Sequence, residues 1–470
     1  MVRDARTWVG DRVASWGPLS GDALLYALSA LFAAGTAIFS TLSLYRVWGE
    51  FAVGPYAAGA VASALLAGYR RRSGAGGSLS AEKKRRRPGA RVWILVMVLV
   101  GATVVPLSVE VVLRSQGHAS LHVQPEVVTI QQAADRLAHG EDPYHAVVDH
   151  GHVVSAVPGE PSYESFFPYL PLMALFGLPG STHAPVRLTD ARIFISGVTL
   201  LVVAVALALC RAPRNPRFRA FQFLVVLPTA ALPLATGGDD MPIVAFLLLA
   251  MVLAQRRRPA MSGVVLGIVS AMKFTAWPLA LLALFAARDR DGRRAPGRMA
   301  LGMLLVAGPV VVPFVFGNPR AFFVNVVLFP LGLAGVASPA ASALPGHVLI
   351  SLFPSLHRVL PLTVAAVGGL VLVRHLVRHP PSTAGQVTNL AGWIMLVAVL
   401  FAPATRVGYL LYPVDFFVIA WMLNTAETDG RATLVTEEAA ESAGLPRQRL
   451  ATVATAGDVS RRRTLGTAGG

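Results

Sequence analysis

The sequence predicts an all-α polytopic membrane protein, and three observations carry that prediction. Hydrophobic residues make up 54% of the 470-residue chain and charged residues only 14%, too few charges to cover a soluble domain of this length. Mean hydropathy is +0.59, and apolar runs of bilayer-crossing length recur, each broken by Arg, Pro or Gly. The basic residues behind the net charge of +16 cluster in short loops beside those runs, as the positive-inside rule requires. No basic–aromatic module accompanies them, so nucleic acid is excluded as a partner and membrane lipid is expected instead. The single cysteine, Cys210, excludes an intramolecular disulfide framework and a multi-cysteine metal site. The polar N-terminal stretch, followed by a long apolar run, does not read as a cleavable signal.

Two apolar runs, Ala23–Trp48 and Phe51–Tyr69, predict a transmembrane hairpin, and residues 1–69 read as an accessory unit. The Arg/Lys-rich linker of residues 70–91 is hard to translocate, which assigns it to the cytoplasm. The main body, residues 92–424, opens with the span Val92–Leu113 and a long extracytoplasmic loop over 114–192, rich in His, Asp, Glu, Tyr and Pro. Within that loop Phe166–Leu178 is apolar but short and Pro-rich, so it reads as re-entrant or interfacial. Further spans are expected at Ile193–Cys210, Phe221–Ala235, Ile243–Ala254, Met261–Met272, Ala276–Ala287, Leu301–Phe316, His347–Val373, Val387–Phe401 and Gly408–Leu423. Basic clusters at 211–219, 256–258, 288–298 and 374–378 orient this path, giving about twelve crossings with both termini inside. Residues 425–470, rich in Thr, Ala, Glu and Arg, read as a disordered cytoplasmic tail.

On this path the unusual polar residues gather on the extracytoplasmic side, where each needs a reason to persist beside the bilayer. They are Glu126, Asp135, Asp142 and Tyr144 in the long loop, the turn Thr236-Gly237-Gly238-Asp239-Asp240, Lys273 at a hairpin tip, Asn318, and Thr405-Arg406 before Tyr409. Carboxylates facing Lys and Arg at a membrane boundary suit a phosphate-bearing lipid substrate: cations neutralise the phosphate and a carboxylate handles the proton. Plainer roles remain open. Asp239 or Asp240 can cap the following helix, Lys273 can snorkel, Arg406 can anchor the interface and Asp142-Pro143-Tyr144 can be only a turn. The loop histidines His118, His122, His139, His145, His150 and His152 have irregular spacing, and no metal site is expected.

These residues resemble glycosyltransferase family 87, polytopic bacterial enzymes of the C-type (GT-C) fold. The resemblance rests on Glu126 followed by the Ala-rich turn through Asp135 to Gly140-Glu-Asp-Pro143-Tyr144, and on Phe166-Phe-Pro168-Tyr169-Leu-Pro171-Leu172. It continues with Gly263-x-x-x-Gly267 leading to Lys273 and Pro278, and with Pro403-Ala-Thr-Arg406-Val-Gly408-Tyr409-Leu-Leu-Tyr412-Pro413. It covers about residues 92–423 and leaves the first hairpin unexplained. It implies a GT-C-like bundle that moves a hexose, with mannose the expected sugar, from a polyprenyl-phosphate donor to a glycolipid, polysaccharide or protein, with inversion. The reaction belongs on the outer side of the plasma membrane and needs no cofactor. Glu126 is the implied base, with Asp135 and Asp142 in reserve. Lys273 and Arg406 become phosphate partners, and Asp239, Asp240, Tyr144, Tyr169 and Tyr409 contact substrate. At the base position the family carries Asp with an aromatic residue four positions on, whereas this chain has Glu126 and Ile130. A transporter of lipid-linked sugar and a non-catalytic relative are the alternatives, although no internal repeat supports transport.

Overall fold

A computed structural model describes residues 17–72, 89–117, 121–144, 148–149, 152–153, 162–182, 184–336 and 340–442. Among them, nine helices are long and apolar enough to cross a membrane. In chain order the helices are α1 (Pro18–Phe39), α2 (Ser43–Arg72), α3 (Ala90–Ser115), α4 (Pro125–Ala138), α5 (Ala191–Leu209), α6 (Arg214–Thr236), α7 (Asp240–Gln255), α8 (Pro259–Ser270), α9 (Trp277–Asp291), α10 (Ala295–Gly317), α11 (Pro319–Leu328), α12 (Pro345–Leu352), α13 (Leu356–Arg378), α14 (Ala384–Phe401) and α15 (Leu411–Ser442). Extended pairing among the described residues amounts to the two-residue strands β1 (Val148–Asp149) and β2 (His152–Val153) and one bridge, Ala341 to Thr405. The protein is a multi-pass, all-helical membrane protein. Nine helices rather than twelve meet the spanning length, because α7, α8 and the helix over Phe274–Arg288 are shorter.

Several expected boundaries move, each for a local reason. The first hairpin turns at residues 40–42, not at Gly49. Gly49 lies inside α2, where a Cβ would come within 2.6 Å of the Ala33 carbonyl oxygen, so this glycine allows α1 and α2 to touch. The span expected over His347–Val373 is two helices, α12 and α13, separated at Phe353-Pro354-Ser355, because proline disfavours helical backbone before it. Phe166–Leu178 forms no spanning helix; its latter part joins a 3-10 segment, Pro171–Ser181. Helix α15 continues to Ser442, so the tail expected to be disordered from residue 425 is helical over its first part. Helix α11 is apolar but too short to span.

The first hairpin docks into the main body. Both α3 and α6 contain a π-type turn, Val100–Val104 and Gln222–Val226, where the regular ladder is interrupted and carbonyls become available. Trp48 of α2 donates Nε1 to the Ala102 carbonyl at 2.9 Å, and Tyr56 donates its hydroxyl to Val226 at 2.5 Å. Gly101 makes room for Pro55, since a Cβ there would overlap the proline ring. Asp22 of α1, buried, accepts from Gln222 of α6 at 3.2 Å and pairs with Arg91 of α3 at 2.5 Å and with Arg219 of α6 at 2.9 Å. A hairpin tied this way, by buried hydrogen bonds to two spans, is part of the bundle.

Candidate active site

Helix α4 carries the first functional side chain. Gln124 is its extended N-cap, Pro125 holds the first helical φ, and Glu126 falls in the first turn, where the positive end of the helix dipole favours a carboxylate. The apolar face of α4, including Val127, Ile130, Ala133 and Ala134, is buried. It packs so closely on the Pro171–Ser181 segment that a Cβ on Gly177 would stand 2.6 Å from the Ile130 carbonyl. That segment is bound in turn to the tip between α8 and α9: Leu170 donates to the Met272 carbonyl and Leu172 to that of Ala271, both at 3.0 Å. This pairing brings the Tyr169 ring to the Lys273 ammonium, 5.2 Å from Nζ to the ring centre. The tip itself is kept in place by α8, whose Gly263 and Gly267 lie against the Met299 and Met303 carbonyls of α10.

The segment before α15 completes the site. Thr405 donates its backbone N–H to Ala340 and accepts from Ser342, both at 2.9 Å, and its hydroxyl donates to the Val399 carbonyl at 3.0 Å. Held so, Arg406 directs its guanidinium onto Oε1 of Glu126, across 280 residues of sequence. Glu126, Lys273, Arg406, Tyr169 and Tyr409 thereby line one cavity of about 300 Å³. Much of the rest of its wall is apolar, with Phe166, Val326, Phe329, Met395 and Val399 among the lining residues. Oε2 of Glu126 is buried and has no hydrogen-bond partner among the described residues, so this carboxylate oxygen is available to a ligand.

Lys273 is bonded by Asp239 Oδ2 at 2.6 Å and by Asp240 Oδ1, and its Nζ lies 5.8 Å from the Tyr409 ring centre. Asp240 also accepts from the Tyr412 hydroxyl at 2.5 Å, and that hydroxyl shares a 2.6 Å hydrogen bond with Thr275. Burial opposes the charge on Lys273, but Asp239 and Asp240 outweigh it and hold the ammonium above its ordinary value. Burial pushes the Asp239 carboxyl up to about 7, Lys273 working against the shift and the like charges of Asp240 and Glu126 with it. Arg406 is also desolvated, yet Glu126 keeps it charged. With all five groups ionised the site carries one surplus negative charge, and a proton on Asp239 removes it.

The two aspartates serve neither as the helix cap nor as cavity wall. Asp239 is the N-cap of α7 but makes no side-chain cap, because its carboxylate is committed to Lys273. Neither acid is among the cavity-lining residues: they sit behind Lys273 and balance its charge. Tyr144 likewise stands outside the cavity lining. It is buried against Phe167, Phe314 and Phe322 and donates its hydroxyl to the Tyr169 carbonyl at 2.9 Å, so it supports the wall from outside. The reserve acids are elsewhere. Asp135 is exposed beside His139, and Asp142 accepts from the Tyr144 backbone at 2.9 Å and from Asn318 Nδ2 at 3.0 Å. Of the loop histidines, His118, His145 and His150 lie outside the described residues, as does most of the basic linker.

A frame that no motif announces joins Glu126 to the aspartate turn. Gln124 Nε2 donates to Thr236 Oγ1 at 3.0 Å and to the Tyr45 hydroxyl of α2 at 2.9 Å. Gly237, with φ of 114°, lets Val127 and Arg192 crowd against it; a Cβ there would overlap Val127 Cγ2. Arg192 is fully buried, bonded twice to Asp190 at 2.9 and 2.8 Å and to the His122 carbonyl at 2.7 Å. Its only signal in the sequence is an Asp-x-Arg pair at the outer edge of an apolar run.

The model for glycosyltransferase family 87 matches residues 167–403, about half of the chain. The chain belongs to glycosyltransferase family 87. Tyr169, Asp239, Asp240 and Lys273 fall within the matched stretch of this glycosyltransferase, while Glu126, Arg406 and Tyr409 are brought to them from outside it. No curated protein matches the chain.

Proposed function

We propose that this membrane glycosyltransferase moves a hexose, mannose by the family resemblance, from a polyprenyl-phosphate donor to an acceptor hydroxyl, with inversion, at the extracytoplasmic face of the plasma membrane. The observation that carries the reading is the free, buried Oε2 of Glu126 in a cavity it shares with Arg406 and Lys273. In the proposed step the acceptor oxygen attacks the anomeric carbon and gives its proton to Glu126 Oε2. The bond from that carbon to the phosphate oxygen breaks, and the electron pair leaves with the polyprenyl phosphate. Arg406 and Lys273 stand where the developing phosphate charge needs cations, and pairing with carboxylates keeps both cations charged in the absence of donor. The apolar wall formed by Phe166, Phe329 and Met395 suits the hydrocarbon chain of such a donor. The outward assignment draws on charge: the basic ends of α2 and α7, Arg70–Arg72 and Arg256–Arg258, are remote in the chain from the site turns at the opposite helix ends.

Membranes carrying the protein, incubated with labelled polyprenyl-phosphate-mannose, test the reading. Glu126→Gln is expected to lower transfer by about 10²–10⁴-fold, the usual worth of a positioned base, with the melting temperature preserved. Asp135→Asn and Asp142→Asn are expected to leave transfer near wild type. Full activity in Glu126→Gln would remove the assigned base.

A further inference from the structure

A second cavity, of about 420 Å³, lies at the other end of α2 from Tyr45, about 38 Å away by the helical rise from Tyr45 to Arg70. Four spans meet there: the start of α1 at Gly17–Ser20, the end of α2 at Arg70 and Arg71, the start of α3 at Arg91, and Asn215 at the start of α6. Among the described residues three arginines line the cavity and no carboxylate does. Arg91 is anchored, bonded to Asp22 and, at 2.8 Å, to Asn215, with its guanidinium 3.8 Å above the Phe218 ring. Among the described residues the nearby acid is Asp22, which is buried and shared between Arg91 and Arg219 and so leaves a positive surplus before the other arginines are counted. Arg71 reaches Ser20 Oγ at 3.2 Å, and Arg70 has no hydrogen bond or ion pair among the described residues. The reaction proposed above uses none of these groups.

The surroundings specify the anion. The cavity opens where spans end, the level at which a bundle of this kind meets lipid headgroups, and exposed Leu65 and Tyr69 of α2 and Trp93 of α3 flank it within two helical turns. Aromatic residues at that depth belong to the membrane–water interface. Guanidinium groups bind phosphate oxygens by paired N–H donors, and cationic clusters at span ends attract the anionic lipids of the adjoining leaflet. We propose that this cavity binds the phosphate headgroup of an anionic glycerophospholipid, with Arg70 and Arg71 as its ligands and Arg91 as the fixed cation behind them.

The test uses the full chain in neutral detergent, titrated with phosphatidylglycerol, phosphatidylcholine or inorganic phosphate, with bound lipid read by native mass spectrometry. The proposal expects phosphatidylglycerol to be retained over phosphatidylcholine. The double variant Arg70→Gln/Arg71→Gln is expected to weaken phosphatidylglycerol binding about thirtyfold, from the usual worth of two basic side chains near a lipid surface. A control pair, Arg374→Gln/Arg378→Gln on the exposed end of α13, is expected to leave it within about twofold of wild type. Equal losses in the two pairs would reduce the effect to general surface charge and overturn the site. Binding of inorganic phosphate that the first pair abolishes, with no preference between the two lipids, would overturn the lipid assignment. Neither result depends on which sugar the enzyme transfers or on Glu126.

Discussion

Helices α7 and α13 look alike in sequence and differ completely in their surroundings. Both are predominantly apolar, yet α7 is buried at every position except Phe246, Leu249 and Gln255, whereas α13 has no buried residue at all. Hydropathy measures what a side chain avoids, and lipid and protein interior satisfy it equally. What separates the two helices is length and the charge at their ends. Helix α7 spans Asp240–Gln255, too short for a span, and two aspartates at its start answer Lys273. Helix α13, Leu356–Arg378, is of spanning length and ends in a basic turn. The candidate site therefore stands at the N-terminus of a helix enclosed by protein, where Asp239 and Asp240 are shielded from both water and lipid.

If enclosure is what gives these charges their weight, the largest effect comes from breaking them. Lys273→Ala leaves two buried carboxylates facing each other and is expected to cost about 3–5 kcal/mol, the range for removing one partner of a buried ion pair. A thermal melt in one fixed detergent reads it, and adding Asp240→Asn is expected to recover part of the loss. A melting temperature unchanged in Lys273→Ala would show that the aspartates are held by something other than the ammonium. Next in size is Leu248→Ala within α7, a fully buried side chain, expected to cost about 2–5 kcal/mol by lost contacts and the cavity left behind.

The aspartate pair also sets a pH dependence. Asp239 has its folded-state value raised to about 7 by burial, so the folded protein holds this proton more tightly than the unfolded chain. Stability from this group is therefore full below the ordinary carboxylate value and falls as pH rises toward 7. Melting curves between pH 5 and 8 are expected to show wild type losing stability over that window, at a rate of up to about 1.4 kcal/mol per pH unit for one proton. In Asp239→Asn this slope is expected to flatten. A slope unaltered by the substitution would place the titrating group elsewhere. The same proton bears on the surplus negative charge of the site, since protonated Asp239 leaves the cations less opposed when a phosphate approaches.

Much of this arrangement is legible in the sequence because charge in an apolar context is rare and must be explained. Lys273, Arg406, Glu126 and the two aspartates stand out for that reason, and the fold class follows from the length of the apolar runs. What cannot be read depends on who touches whom. Tyr144 and Tyr169 lie in similar Pro-rich, aromatic surroundings, yet Tyr169 faces the cavity and Tyr144 props it from behind. Gly49 falls in the gap between the first two apolar runs, where the hairpin would turn, but here its missing Cβ permits a helix contact. Arg192 sits inconspicuously beside a span, and only the geometry shows it joining Asp190 to the stretch leading into α4. The docking of Trp48 and Tyr56 onto π-type turns is invisible for the same reason: a carbonyl made available by local irregularity leaves no mark in composition.

The smallest expected effect sharpens the contrast between α7 and α13 most. Leu370 of α13 is 71% exposed, so in a helix whose surroundings are lipid its truncation exchanges one hydrocarbon contact for another. Leu370→Ala is therefore expected to change stability by no more than about 0.5 kcal/mol, as for substitutions away from packed sites. The same substitution in α7, Leu248→Ala, removes contacts that lipid cannot replace. Measured side by side in one detergent, the two leucines separate burial in protein from exposure to hydrocarbon with side-chain chemistry held constant. A loss at Leu370 comparable to that at Leu248 would mean that α13 is covered by protein in the membrane, and the contrast between the two helices would then be one of partner rather than of medium.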